Sequence, residues 1–236
     1  MARTCNCIIT AKGWERTVTA GAVLSSASMA SGESTIPAIR AALRRARQPI
    51  LWVGLAQILG VITGAVMVHS HNGFALHYAD QLIGRASSSG PIADAMHTRR
   101  PVRAALIDFA GNLGVSAIPS TVMGLSVVLP LPVAAYRGWI GGIVSVDWHH
   151  ESRLRPGPER TYYLIVMLMQ IIPYTLATAA GIRLGLAFVS PNGPYGYANG
   201  KRWAGLPAEG VRDVLRIYAI AVPLFLAASL VEFLAR

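Results

Sequence analysis

Charge is scarce in this sequence, and acidic charge scarcest. Only 14% of the 236 residues are Asp, Glu, Lys or Arg, and 11 are acidic against 21 basic. Water-soluble domains carry about a quarter of their residues charged, so 14% charged with 53% hydrophobic residues and a mean hydropathy of +0.45 excludes an ordinary soluble domain. Cysteine is nearly absent as well. Cys5 and Cys7 are too few for a disulfide framework and have no second pair to complete a zinc site, and they are assigned no function. The sequence lacks a Walker A loop, a Gly-x-Ser-x-Gly elbow, a zincin helix and a dinucleotide fingerprint, so an ATP-driven engine would belong to another chain and no cofactor is expected. The net charge of +10 does not point to nucleic acid, because Lys and Arg flank apolar spans instead of forming one stripe. Anionic lipid headgroups are the expected partner of that charge.

What the sequence has is long apolar runs. Residues 161–189 carry a single formal charge, Arg183, and 161–182 carry none; a hydrocarbon core of roughly 30 Å takes about 20 apolar residues in a helix. Four regions have this character: 49–68, 109–136, 162–189 and 214–235. Past Arg137, the second region runs on into 138–146, about half a span, which forms either a re-entrant hairpin or a fifth, short helix. Pro130 and Pro132 favour a break there, since proline removes a backbone donor and crowds the preceding turn. The expected fold is an all-α, polytopic transmembrane helix bundle of four to five spans occupying 49–236.

Two further regions precede the bundle. Residues 1–35 read as a flexible tail; a secretory signal, with Arg3, Lys12 and Arg16 as its basic part and Ser28-Met29-Ala30 as its cleavage site, is disfavoured by the weak apolar core of 18–24. In 36–48, Ile36, Ile39, Leu43 and Ala46 recur at helical spacing while Arg40, Arg44 and Arg47 take another face. Ser34 or Thr35 can cap this segment, and Pro37 suits its first turn. It reads as a basic helix lying on the membrane. The arginines before the first span favour a cytoplasmic N-terminus; four crossings would then put Arg137, Arg153, Arg155, Arg160 and Arg236 on the same side, and a fifth would move the C-terminus across. A multi-pass protein of a bacterial cell membrane is the expected setting.

Small residues mark helix contacts. Gly60 with Gly64 and Gly138 with Gly142 are GxxxG pairs, and Ala177, Gly181 and Gly185 stand four apart on one face. Packing within the chain is the first reading, a seam with another integral membrane protein the second. Polar residues inside the spans are Asp108, Asn112, Gln170, Arg183, Arg216 and Glu232. Asp108 and Asn112 share a helical face with Ser116 and Ser120, and Gln170 is the deepest. Near span ends, snorkelling and pairing relieve the burial of charge, so structural pairing ranks first, then partner binding, then transport. His69, His71 and His77 suggest a metal site only loosely, since ligation needs three or four convergent ligands; interfacial hydrogen bonding is the reading adopted.

The segment 179–185, Ala-Ala-Gly-Ile-Arg-Leu-Gly, resembles the Ala-Gly-hydrophobic-Arg-Leu-Gly segment of the stage II sporulation protein M family of integral membrane proteins. Residues 49–68 are similar to that family's first span, 107–124 with Asn112 to its Asn-bearing second span, and 214–234 with Pro223 and Glu232 to its last, so the likeness covers roughly 49–236. The chain departs from the family where a His-Gly precedes a Glu: Val166 and Gln170 stand at the His-like and Glu-like positions, and Arg137-Gly138 replaces an Asn-Gly. The resemblance implies a non-enzymatic membrane subunit that organises a larger complex, the hydrolytic chemistry in spore formers belonging to its partners. A small transporter or channel component lined by Asn112, Gln170 and Glu232 is the alternative. A metal enzyme using His69, His71 and His77 comes third.

Overall fold

The computed structural model describes residues 35–88, 90–147, 149–154, 156–197 and 200–234; the tail, with Cys5, Cys7 and the candidate cleavage site, lies outside the described residues. Within them the protein is all-α apart from one ribbon, β1 (Arg202–Trp203) paired antiparallel with β2 (Leu206–Pro207). Four helices are long and apolar enough to cross a membrane: Arg47–His69, Pro101–Ser126, Arg160–Val189 and Ala208–Leu234.

Helix α1 (Thr35–Arg45) precedes α2 (Arg47–His69) across a break at Ala46. The α1 helix does not simply lie free on a surface: Ala42 and Ala46 are fully buried against Ala180 and Ile217. Along α2 the buried positions are Pro49, Val53, Gln57, Gly60, Gly64 and Val68, a narrow stripe at helical spacing, while Leu51, Leu55, Ile58, Leu59, Ile62 and Val66 face outward. A helix apolar on every side suits burial in lipid. Helices α3 (Gly73–Ser88) and α4 (Pro91–His97) sit at the far end, where Ala75 and Ala79 pack on Val68, Ile143 and Val146.

The next rod is interrupted. Helix α5 (Pro101–Ala110) loosens into a π-helical turn (Gly111–Ala117), tightens again as α6 (Ile118–Met123) and ends in a 3-10 turn (Gly124–Ser126). Pro119 explains the loosening: it has no N–H for the carbonyl four residues back, and its ring crowds that carbonyl. The chain reverses over 127–129, where Val127 adopts φ 64°, a left-handed conformation that a β-branched residue resists. Pro130 and Pro132 do not make the break themselves; they open the following helix, α7 (Pro130–Ile143), in the first turn, where an N–H is dispensable. Residues 138–143 are therefore the second half of one helix, and Arg137 stands in its middle, not in a loop as the sequence suggested.

Helix directions follow from the contacts. Gly60 faces Ala135 and Trp139, and Gly64 faces Trp139 and Ile143, so α2 and α7 run parallel. Helix α8 (Pro158–Val189) runs against both, with Ile182 beside Val53 and Ala134, Thr175 on Gln57 and Tyr163 on Gly141. The α5–α6 rod runs with α8, as Asn112 bonds Tyr174 and Thr121 bonds Ala177. Helix α9 (Ala208–Leu234) opposes both: Tyr162 bonds the Val231 and Glu232 carbonyls, and Asp108 meets Ser229. The chain thus makes five alternating passes. The sequence-based placement of Arg153 and Arg160 on the α1 side is corrected accordingly: Ser152 bonds His69 and Val146 packs on Val68, so that loop lies at the opposite end, because α7 returns the chain first. The 14 residues of α7 span about 21 Å, short of a full crossing, and its reversal packs beside Val53 and Leu186, below the start of α2. The short fifth helix and the re-entrant hairpin are one object, an apolar reversal followed by an incomplete pass.

Candidate functional site at mid-depth

The parallel pairing of α2 and α7 rests on glycine. A Cβ on Gly60 or Gly64 would overlap the carbonyls of Ala135 or Trp139, and one on Gly138 or Gly142 those of Gln57 or Val61. The two GxxxG motifs are the two halves of a single contact. On α8, Gly181 lies on the Thr121 carbonyl, a Cβ on Gly185 would come 2.7 Å from the Gly124 carbonyl, and Ala177 is fully buried. All seven small residues are occupied inside the chain.

This close approach carries Arg137 to the level of Gln57, near the middle of α2. Its guanidinium lies 4.7 Å from the Tyr174 ring centroid, a cation–π contact, and its Nη2 reaches the Ser116 carbonyl at a long 3.5 Å. That carbonyl belongs to the π turn. Tyr174 donates to Asn112 Oδ1 at 2.6 Å, Asn112 Nδ2 donates to Asp108 Oδ2 at 2.8 Å, and Ser229 Oγ donates to the same oxygen at 2.7 Å. One polar chain therefore crosses from α7 through α8 and α5 to α9. On the other flank of Arg137, Gln57, Ser120 and Thr178 line a cleft with Met123, Val133 and Ala134, too narrow for a water molecule in this conformation. Gln57 accepts from Thr175 at 2.5 Å, and Ser120 donates to the Ser116 carbonyl at 2.7 Å. Among the described residues, no carboxylate pairs with Arg137; the ion pairs are Arg45 and Arg216 with Asp213, and His150 with Asp80.

The remaining polar residues fall into two places. Gln170 donates to the Glu232 carboxylate between α8 and α9. Arg183 is no snorkelling residue: it is 4% exposed, donates to the Tyr195 carbonyl at 2.6 Å and lies 4.6 Å from the Tyr197 ring centroid, with its Nε unpartnered. Beside it, Arg45 grips both oxygens of Asp213 at 2.7 and 2.6 Å, joined by Arg216 at 3.1 Å and Tyr197 at 3.0 Å. These bonds raise the Arg45 pKa, and burial, with Asp213 adding to it, raises that of Tyr197. The histidines separate: His69 bonds Ser152 at 2.6 Å and His77 bonds Gln81 at 2.8 Å, and among the described residues no three metal-ligating side chains converge.

Sequence reasoning missed Arg137, Gln57, Tyr174 and Thr178. Arg137 read as a boundary because a lone charge between apolar stretches resembles a loop. The signal available was the equal spacing of the two GxxxG pairs, which sets 130–143 as one helix against α2.

With its apolar outer faces and a polar layer inside, the chain is a multi-pass membrane protein. No protein-family model, curated protein or solved structure matches it.

Proposed function

We propose that the chain is a membrane transport component, a carrier or channel subunit that passes a small polar or charged solute between α5–α6, α7 and α8. One observation carries this reading: Arg137, a basic side chain at mid-depth without a carboxylate partner among the described residues, beside Tyr174, Gln57 and Thr178. An arginine at the bilayer centre costs roughly 2.5–3.5 kcal/mol on insertion scales, and such residues mark solute and ion pathways. The surrounding backbone supports the same reading. A π turn, a strained reversal and an incomplete pass are the interrupted geometry that transporters use to present polar groups at mid-membrane. The narrow cleft fits a closed conformation.

The scaffold role implied by the resemblance to the stage II sporulation protein M family drew on small-residue faces as partner seams, and those faces are filled within the chain. The deciding experiment is reconstitution into liposomes loaded in turn with protons, alkali cations and small inorganic anions. Protein-dependent flux of at least one of them is expected. A folded, reconstituted protein that passes none, yet copurifies with a fixed set of membrane proteins in mild detergent, would return the scaffold reading to first place.

A further inference from the structure

The hydrogen-bonding groups around Arg137 are unbalanced toward donors. A guanidinium offers five N–H groups, yet among the described residues Arg137 makes a single hydrogen bond, the 3.5 Å contact with the Ser116 carbonyl, which Ser120 already shares. Gln57 is 3% exposed and spends its Oε1 on Thr175, so that its Nε2 has no partner among the described residues. The Thr178 hydroxyl, on a residue 5% exposed, has none either. These three side chains come from α7, α2 and α8, and all line the one cleft that α6 closes with Ser120 and Met123. Neither Asp nor Glu lines it. Asp108, the carboxylate of the same polar layer, stands behind Asn112 and Tyr174, and its Oδ2 already accepts from Asn112 and Ser229.

We infer that the solute handled at this cleft is a small monovalent inorganic anion, of the chloride or nitrate class, held by Arg137 with Gln57 Nε2 and Thr178 Oγ1. The inference rests on the transport reading and gives it a substrate class. A cation entering the cleft meets a guanidinium with no carboxylate in the lining to offset it, and the two charges repel strongly where little water separates them. An anion gains that charge and two unspent donors beside it, and hydrogen bonds to an ion are stronger than those between neutral groups. One guanidinium balances one negative charge, which favours a monovalent ion over sulfate or phosphate. The remaining wall of Met123, Pro130, Val133 and Ala134 replaces none of the water an ion leaves behind, and this again favours an ion of low charge.

The test is a comparison of ion fluxes through liposomes containing the full chain. Chloride and nitrate efflux are followed with anion-selective electrodes while valinomycin and potassium balance the charge, and potassium and proton permeation are followed in the same preparation without valinomycin. Anion flux on the order of tenfold above that of either cation is expected. Thr178→Val keeps the side-chain shape and breaks no hydrogen bond among the described residues. It should raise the half-saturating anion concentration about fivefold, the equivalent of one lost hydrogen bond, with maximal flux and unfolding midpoint nearly unchanged. Gln57→Leu should raise it by at least as much. Unchanged half-saturation in both variants would overturn the site. Potassium or proton flux without anion flux would overturn the anion assignment and leave the transport reading standing, whereas a folded protein that passes none of these ions would remove both.

Discussion

The proposed transport role rests on Arg137, and its surroundings explain how a charge is held among apolar helices. The Tyr174 ring face and the Ser116 carbonyl give it partial negative partners without neutralising it. Tyr174 is in turn fixed by Asn112, so Tyr174→Phe keeps the ring and loses one hydrogen bond. Hydrogen bonds between membrane helices average about 0.6 kcal/mol, and thermal unfolding in detergent should show a loss of that order. Asp213→Asn should cost more, about 1.5–3 kcal/mol, because charge-assisted bonds from Arg45 and Arg216 are weakened at a buried carboxylate. A loss below 0.5 kcal/mol in the same assay would contradict the clamp. At this scale the sequence was partly legible. Asp108 and Asn112 share a face and bond each other, as their four-residue spacing implied. Tyr174 and Gln57 were illegible, because a tyrosine or glutamine in an apolar run shows its role only through residues far away in sequence.

At the scale of elements, the pairing of α2 with α7 organises the hairpin. Gly138→Val puts side-chain carbon where the Gln57 carbonyl lies, whereas a Cβ on neighbouring Gly141 meets only Val61 Cγ2, at 3.9 Å. Gly138→Val should destabilise by about 3 kcal/mol or more, overpacking of this kind costing typically 1–3 kcal/mol even where side chains can move. Gly141→Ala should be tolerated within about 0.5 kcal/mol, and equal unfolding midpoints for the two variants would refute the contact. The apolar runs and the proline-marked interruption were readable, since composition and proline geometry are local properties. The partner of each glycine was not, because a small-residue face records close approach without recording to what.

For the whole molecule, the parallel course of α2 and α7 makes the number of passes odd. The end holding α1 gathers Arg40, Arg44, Arg45 and Arg47 with Lys201, Arg202 and Arg212, while Arg85, Arg99, Arg100, Arg103, Arg153 and Arg160 stand at the other, so the basic residues are balanced between the two ends and set no orientation. The sequence left four or five spans open, because a 14-residue helix falls between a loop and a crossing in length. Reporter fusions should find the two ends of the described bundle on opposite sides of the membrane; both on one side would contradict the five-pass path. The central claim, that the hairpin brings Arg137 to mid-depth in order to handle solute, is tested most directly by comparing flux through liposomes containing wild-type protein and Arg137→Gln, with unfolding midpoints matched. A loss of at least tenfold in the Gln variant, partly restored by Arg137→Lys, is expected; unchanged flux in a folded Arg137→Gln protein would contradict it.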